Sequence, residues 1–206
     1  MINFIGRLRQ KGLEIEYLNI GGGLGIIYGN ETPQTAQKFA ARVLPLLRKT
    51  GLRIILEPGR FIVGNAGILV TKVLYVKPTP KKKFVIVDAG MNDLIRPALY
   101  SAYHNILPLR MKRNISRQEK VDVVGPICES ADFFAKDRRL SLPKEGDYLA
   151  VMGAGAYGFS MSSNYNSRRR PQEVLVIKDK VFTVRKRDSY ADLVRNEEIP
   201  AFLFGL

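Results

Sequence analysis

The strand–helix–strand pattern over residues 14–57 constrains this chain most, because it is too short to close on itself. "EYLNIGGG" reads as a short apolar strand running into glycine. Ala36, Phe39, Ala40, Val43, Leu44 and Leu47 then recur at helical spacing, and "RIILEPGR" reads as a second buried strand. Thr32 is the expected N-cap with Pro33 at the first helical position, and Gly51 is the stop. Pro45, inside the pattern, predicts a kink. Strand, crossover helix and strand imply a parallel pair. Two parallel strands with two helices cannot cover both faces of a sheet. The opening "MINFIGRLRQKG" reads as an amphipathic helix with Ile2, Ile5 and Leu8 on one side and Gly12 as its end. An opening helix also implies a strand ahead of it. Residues 1–66 are therefore expected to be the C-terminal part of a larger α/β barrel whose early strands are absent.

From Gly67 the period changes. "GILVTKVLYV", "KFVIVDAG", "KVDVVGPI", "YLAVMGAGAYG", "EVLVI" and "KVFTVRK" are rich in β-branched residues and separated by turn residues. The last two are expected to form a hairpin around Lys178, Asp179 and Lys180, without the usual glycine. Residues 67–206 thus read as an antiparallel β domain, closed by a short helix in "SYADLVRNEEIP". No internal repeat interrupts either part.

Composition narrows the function. No apolar run approaches the ~20 residues of a membrane span, and the N-terminus lacks the apolar centre of a signal peptide. Cys128 is the only cysteine, so no internal disulfide can form and a reducing cytoplasm is the default compartment. The formal net charge of +14 raises the question of nucleic acid. Its cations are dispersed apart from Lys81–Lys83 and Arg168–Arg170, and no base-stacking or zinc-finger pattern accompanies them. An ordinary basic surface is the better reading.

Chemistry concentrates at strand ends. Gly21, Gly22, Gly23 and Gly25 follow the first strand, where bare backbone N–H groups can converge on an anion, although a tight turn reads as well. No Gly-Lys-Ser/Thr follows, so this is not a nucleotide P-loop, and the helix starts too late for the dinucleotide fingerprint. Glu57, Gly59 and Arg60 sit at the end of the next parallel strand, where α/β sheets bind ligands. Cys128 lies beside Glu129 at another strand end. A lone cysteine is usually buried filler, but Glu129 and Asp132 are poor neighbours for a core thiol. Tyr157 stands between glycines, and Arg96 and Tyr100 are four apart, on one face if helical. His104 is the single histidine, which excludes a multi-histidine metal site; no metal is expected, and His104 reads as structural.

In order along the chain, "YLNIGGGLGI", "EPGRFIVGNAGIL", "DAGMNDLIRPALYSAYH", "GPICESADFFAKDR" and "GAYGFSMSSNYNSR" resemble the diaminopimelate branch of the PLP-dependent ornithine/diaminopimelate/arginine decarboxylase family, whose fold is like that of alanine racemase. The resemblance runs from Tyr17 to about Pro200. It implies a C-terminal remnant of a PLP-binding (β/α)8 barrel followed by an antiparallel β-barrel or sandwich domain. It also implies a cytoplasmic homodimer with shared active sites, releasing CO₂ from meso-diaminopimelate to give L-lysine, with no nucleic-acid or membrane partner. Gly21, Gly22, Gly23 and Tyr157 match positions that hold the cofactor phosphate. Glu57 matches the carboxylate facing the pyridine nitrogen, and Gly59 and Arg60 lie by the cofactor. Cys128 matches the residue that supplies a proton from across the dimer interface. Arg60, Arg96, Tyr100, Glu129 and Tyr157 match substrate-binding positions. Arg96 suits the distal carboxylate of diaminopimelate and Glu129 its distal ammonium. The neighbouring expectations are a decarboxylase of ornithine or arginine and a non-catalytic truncated module. Two departures stand out. Arg169 replaces an expected proline, and no "VKAN"-type motif supplies the family's cofactor lysine, so the chain alone is expected to be inactive.

Overall fold

The computed structural model describes residues 1–110 and 118–205. The chain opens with α1 (Ile2–Gln10), β1 (Tyr17–Asn19), α2 (Ala36–Arg48) and β2 (Arg53–Ile55). β1 and β2 pair in parallel, Leu18 opposite Ile54, as the crossover pattern requires. Ile5, Leu18 and Leu47 form a small core from the two helices and β1, with Ile15, Ile20, Val43, Leu52 and Ile54 packed against it. Gly12 ends α1 with φ of 77°, a conformation that favours glycine.

α2 departs from expectation at its start. Thr35, not Thr32, is the N-cap: its side chain accepts the Lys38 N–H at 3.2 Å. Both threonines fit the local pattern, and tertiary packing separates them. Pro33 lies against Gly25, where an added Cβ would come within 3.3 Å of the proline Cβ. The helix carries through Pro45 to Arg48, although proline there gives up the bond its N–H would make to the Ala41 carbonyl and crowds that carbonyl with its ring.

α3 (Gly59–Val63) and a 3₁₀ turn (Gly64–Ala66) lead into the second region. β3 (Leu69–Pro78), β4 (Lys83–Val87), β5 (Ile106–Pro108), β6 (Gln118–Val124), β7 (Phe133–Ser141) and β8 (Tyr148–Val151) form a six-stranded sheet ordered β5-β8-β3-β4-β6-β7. The expectation of an antiparallel sheet is corrected here. β4 and β6 pair in parallel, Val85 opposite Val123, so the sheet is mixed. β4 reaches β6 through a long excursion containing α4 (Arg96–Tyr100) and β5, which returns the chain in the same direction. β5 and β7, at the two ends of the strand order, come close: Arg138 on β7 donates to the His104 carbonyl, two residues before β5, at 2.8 Å. The sheet thus curls toward closure. Val73, Val85, Val87, Leu94, Ile106, Val121, Val123, Phe134 and Val151 fill its interior, each no more than 2% exposed.

β9 (Glu173–Ile177) and β10 (Lys180–Arg185) form a hairpin of their own, joined to none of the six strands. Ile177 pairs with Lys180, leaving Lys178 and Asp179 as the turn, with Lys178 taking φ of 57° in place of a glycine. α5 (Tyr190–Val194) follows, and Ser189 and Asp192 close a reciprocal capping box at its start. No helix of the described residues is long and apolar enough to cross a membrane.

Candidate functional site at the strand ends

The glycine run turns sharply away from β1. Gly21 and Gly23 take φ of 69° and 81°, and a Cβ on Gly22 would collide with the Glu57 carbonyl oxygen. All three therefore need glycine, for two different reasons. Among the described residues the N–H groups of Gly22 and Gly23 have no hydrogen-bond partner. They are free to meet an anion.

Asn19, the last residue of β1, ties this turn to the next strand end. Its Oδ1 accepts the Gly21 N–H at 2.8 Å and its amide donates to Glu57 Oε1. Glu57 N–H in turn donates to the Gly21 carbonyl at 2.8 Å. The Glu57 carboxylate is thereby held beside the glycines while its residue stays exposed. Asn19 was not singled out by motif reading. Its only signal is a polar residue at the end of an apolar strand.

One turn further, Arg60 on α3 places its guanidinium 5.1 Å from the centre of the Tyr157 ring. Tyr157 comes from the six-stranded region, on a turn pressed against residues 63–67. Ala154 N–H donates to the Gly67 carbonyl at 2.8 Å, and Gly155 N–H to the Gly64 carbonyl at 3.1 Å. A Cβ on Gly155 would overlap the Val63 carbonyl oxygen, so this close approach also depends on glycine. Tyr157 itself takes φ of 58°, uncommon for a non-glycine residue, and its side chain remains 43% exposed.

Three further motifs meet around the 88–93 loop. Asp132, only 4% exposed, accepts N–H groups from Met91 at 2.7 Å and Ile127 at 2.6 Å. Burial pushes its carboxyl above the usual range, against the pull of those two N–H donors. A Cβ on Gly125 would strike the same carboxylate. Asp132 thus fastens the Cys128 loop to the Met91 loop. Arg168 reaches in from the "SNYNSR" segment, donating to Asn92 Oδ1 at 3.0 Å and to the Asp88 carbonyl. Cys128 and Glu129 are exposed on this loop, so the buried-filler reading of the thiol does not hold. Tyr165 lies within 3.5 Å of Glu129 Oε2. The substituted Arg169 spreads over the Tyr190 ring, 4.6 Å from its centre.

Arg96 and Tyr100 share α4 but part company. Tyr100 is 62% exposed, whereas Arg96 is 7% exposed. The Arg96 guanidinium lies 4.7 Å from the Tyr28 ring centre and donates to His104 Nε2 at 2.9 Å. Among the described residues no hydrogen bond, ion pair or ring contact joins Arg96, Tyr100, Cys128 or Glu129 to the Gly21–Glu57–Arg60 group. The basic runs are engaged elsewhere. Lys82 and Lys83 pair with Asp122 and Glu119, and Arg170 with Asp188. Among the described residues no three or more histidine, cysteine or carboxylate side chains gather as they would around a metal ion.

The pyridoxal-dependent decarboxylase C-terminal sheet domain matches residues 27–155. The diaminopimelate decarboxylase of Aquifex aeolicus is 51% identical over 195 residues, covering 94% of this chain and 46% of that protein. The crystal structure of the Methanocaldococcus jannaschii diaminopimelate decarboxylase with L-lysine superposes with a TM-score of 0.90 at 43% identity, covering 98% of this chain and 47% of that one. The Helicobacter pylori diaminopimelate decarboxylase, also with L-lysine, gives 0.86 at 41% identity, covering 100% and 49%. The chain spans about half the length of the curated relatives it matches. Five ordered motifs, the mixed sheet and these likenesses agree, and the chain belongs to the pyridoxal-dependent decarboxylases, carrying their C-terminal sheet domain.

Proposed function

We propose that this chain is the C-terminal part of a diaminopimelate decarboxylase, acting with the portion of its relatives that it does not span. The observation that carries the reading is the strand-end cluster. Two unpaired glycine N–H groups, a carboxylate fastened beside them by Asn19, and an arginine stacked on an exposed tyrosine lie on adjacent elements. A pyridoxal phosphate fits this chemistry: Gly21–Gly23 and Tyr157 would hold the phosphate, Glu57 the ring nitrogen, and Gly59 and Arg60 would flank the cofactor. When bound, that group supplies an electron sink for the electrons left as CO₂ departs. The chain's own residues bind, orient and move protons. Glu57 would keep a proton on the ring nitrogen. Arg96 binds the distal carboxylate, and Glu129, with Tyr100, the distal ammonium. The exposed Cys128 supplies a proton to the product from the opposite subunit of a homodimer. We assign the lysine that anchors the cofactor, and the remaining strands of an eight-stranded α/β barrel, to the unspanned portion. Residues 1–66 would then belong to that barrel and residues 67–206 to the β domain.

The relatives' names favour diaminopimelate over ornithine or arginine, and so does Arg96. Among the described residues the buried Arg96 guanidinium has no carboxylate partner, which suits a substrate that brings a distal carboxylate of its own. The test is co-expression of this chain with the N-terminal half of the Aquifex relative, followed by CO₂ release from meso-diaminopimelate, ornithine and arginine. Cofactor-dependent turnover of diaminopimelate alone, absent from either half by itself, is expected. Arg96→Ala should then cost roughly 2–3 kcal/mol in kcat/KM. Preferred turnover of ornithine by the reconstituted protein would sink the assignment.

A further inference from the structure

Arg96 is a buried cation whose guanidinium, among the described residues, makes one hydrogen bond, to a histidine, and the geometry fixes which form of that histidine is present. A guanidinium donates and cannot accept, so the His104 Nε2 facing it at 2.9 Å is a bare lone pair. The opposite nitrogen, Nδ1, lies 2.8 Å from the Met152 carbonyl, which can only accept, so Nδ1 carries the proton. His104 is fully buried. Its ring meets the Tyr28 ring edge-on, centres 5.2 Å apart, and Tyr28 covers the Arg96 guanidinium. The Tyr28 hydroxyl, at the far end of that ring, is buried with no partner among the described residues. Arg96 from α4 and Arg138 from β7 are the charged groups facing His104, and no carboxylate opposes them among its contacts. Burial pushes the imidazole below its ordinary value, and both arginines add to that effect against the Met152 carbonyl.

We propose that His104, as the neutral Nδ1–H imidazole, is the positioning residue that aims Arg96 at the carboxylate of an anionic ligand, and that protonation of His104 releases that grip. An imidazolium would present N–H to N–H across the Arg96 contact and set a second cation against the first. The remaining guanidinium donors would then lose their fixed direction. This inference rests on the reading of Arg96 as the distal-carboxylate site given above, and it adds the device that holds it.

Two measurements separate the inference from that reading. His104 is the only histidine, so nitrogen-resolved imidazole NMR of the 206-residue chain reports it without assignment. The Nδ1–H tautomer is expected, persisting below the ordinary imidazole range, with Arg96→Met moving the Nε2 signal and easing protonation. A dominant Nε2–H tautomer overturns the inference whatever the activity. In the reconstituted enzyme, KM for diaminopimelate should stay level through the ordinary imidazole range and climb only as the pH falls below it, while kcat changes far less. His104→Gln keeps an acceptor toward Arg96 that does not titrate, so its KM should stay level below that range as well. An identical KM profile in wild type and His104→Gln overturns the inference. Absence of diaminopimelate turnover sinks the proposed function and leaves the tautomer measurement to decide this one.

Discussion

Residues 1–66 and the six-stranded sheet were built from similar amounts of apolar sequence and ended with different interiors. The sheet packs Val73, Val85, Val87, Val121, Val123, Phe134 and their neighbours into one continuous core. The α/β part gathers only Ile5, Leu18 and Leu47 into a buried cluster around a single parallel pair, with Ile26 buried apart from them, while Leu44, Leu46, Ile55 and Leu56 remain at least 41% exposed. The reason is topological. A sheet that curls toward its own edge covers one face with itself, whereas a two-stranded parallel pair depends on neighbours for both faces. Yet the free N–H groups of Gly22 and Gly23, with Glu57 and Arg60, all lie in the poorly covered part. The strand-end cluster thus lies in the more sparsely packed part of this chain and is braced from the sheet by Gly155 and by the Arg60–Tyr157 stack.

The largest test of that contrast is Phe134→Ala. It should cost about 3–5 kcal/mol and lower the main denaturant transition. Leu18→Ala should leave that transition in place and instead speed amide exchange over residues 14–55. Equal losses at the main transition would make the two regions one cooperative unit and break the comparison. Next comes the joint between them. Gly155→Ala forces a Cβ onto the Val63 carbonyl and should cost about 2–3 kcal/mol, with increased exchange at Gly64–Gly67. A change under about 0.5 kcal/mol would mean that the turn does not clasp α3.

A smaller effect is expected from pH. His104 is held neutral by burial and by two arginines, so its folded-state affinity for protons lies below the unfolded value. Unfolded chains then bind more protons as pH falls below about 6.5. Stability should decline by up to about 1.4 kcal/mol per pH unit across the window down to the depressed folded value, and be unchanged above it. His104→Gln should remove that slope from urea titrations of the sheet. Persistence of the slope in the variant would assign it to other groups. The smallest change belongs to Tyr28→Phe. Its hydroxyl is buried without a partner among the described residues, so its removal should alter stability by no more than about 0.5 kcal/mol and in the favourable direction. A loss above about 1 kcal/mol would reveal a bound partner for that oxygen.

Much of this arrangement could be read along the chain. β1, α2, β2 and the glycine turn follow from local periodicity, and the Glu57–Arg60 segment falls at a strand end as expected. The α5 cap is encoded within four residues, Ser189 to Asp192. β7 carries no comparable local signal, because "FFAKDRRLS" interrupts its apolar alternation with charges. Asp137, Arg138 and Arg139 are accommodated there through register shifts against β6, and Arg138 is directed across to the His104 carbonyl. The site divides in the same way. Gly21–Gly23, Glu57 and Arg60 carry local signals, whereas Asn19, Asp132 and Arg168 act through partners 38 or more residues away.

What the sequence by itself determined is therefore the local grammar: which segments are helix or strand, where glycine is obligatory, and which charged residues stand at strand ends. Those properties depend on backbone sterics and on side-chain periods of two or 3.6 residues, both readable within a few positions. What only the tertiary structure decided is pairing. It made β4 and β6 parallel neighbours, left β9 and β10 outside the main sheet, chose Thr35 over Thr32 as a cap, and turned Arg96 inward onto a neutral His104. Each of these outcomes compares alternatives of similar local quality. Burial and hydrogen bonding between residues far apart in the chain supply the difference.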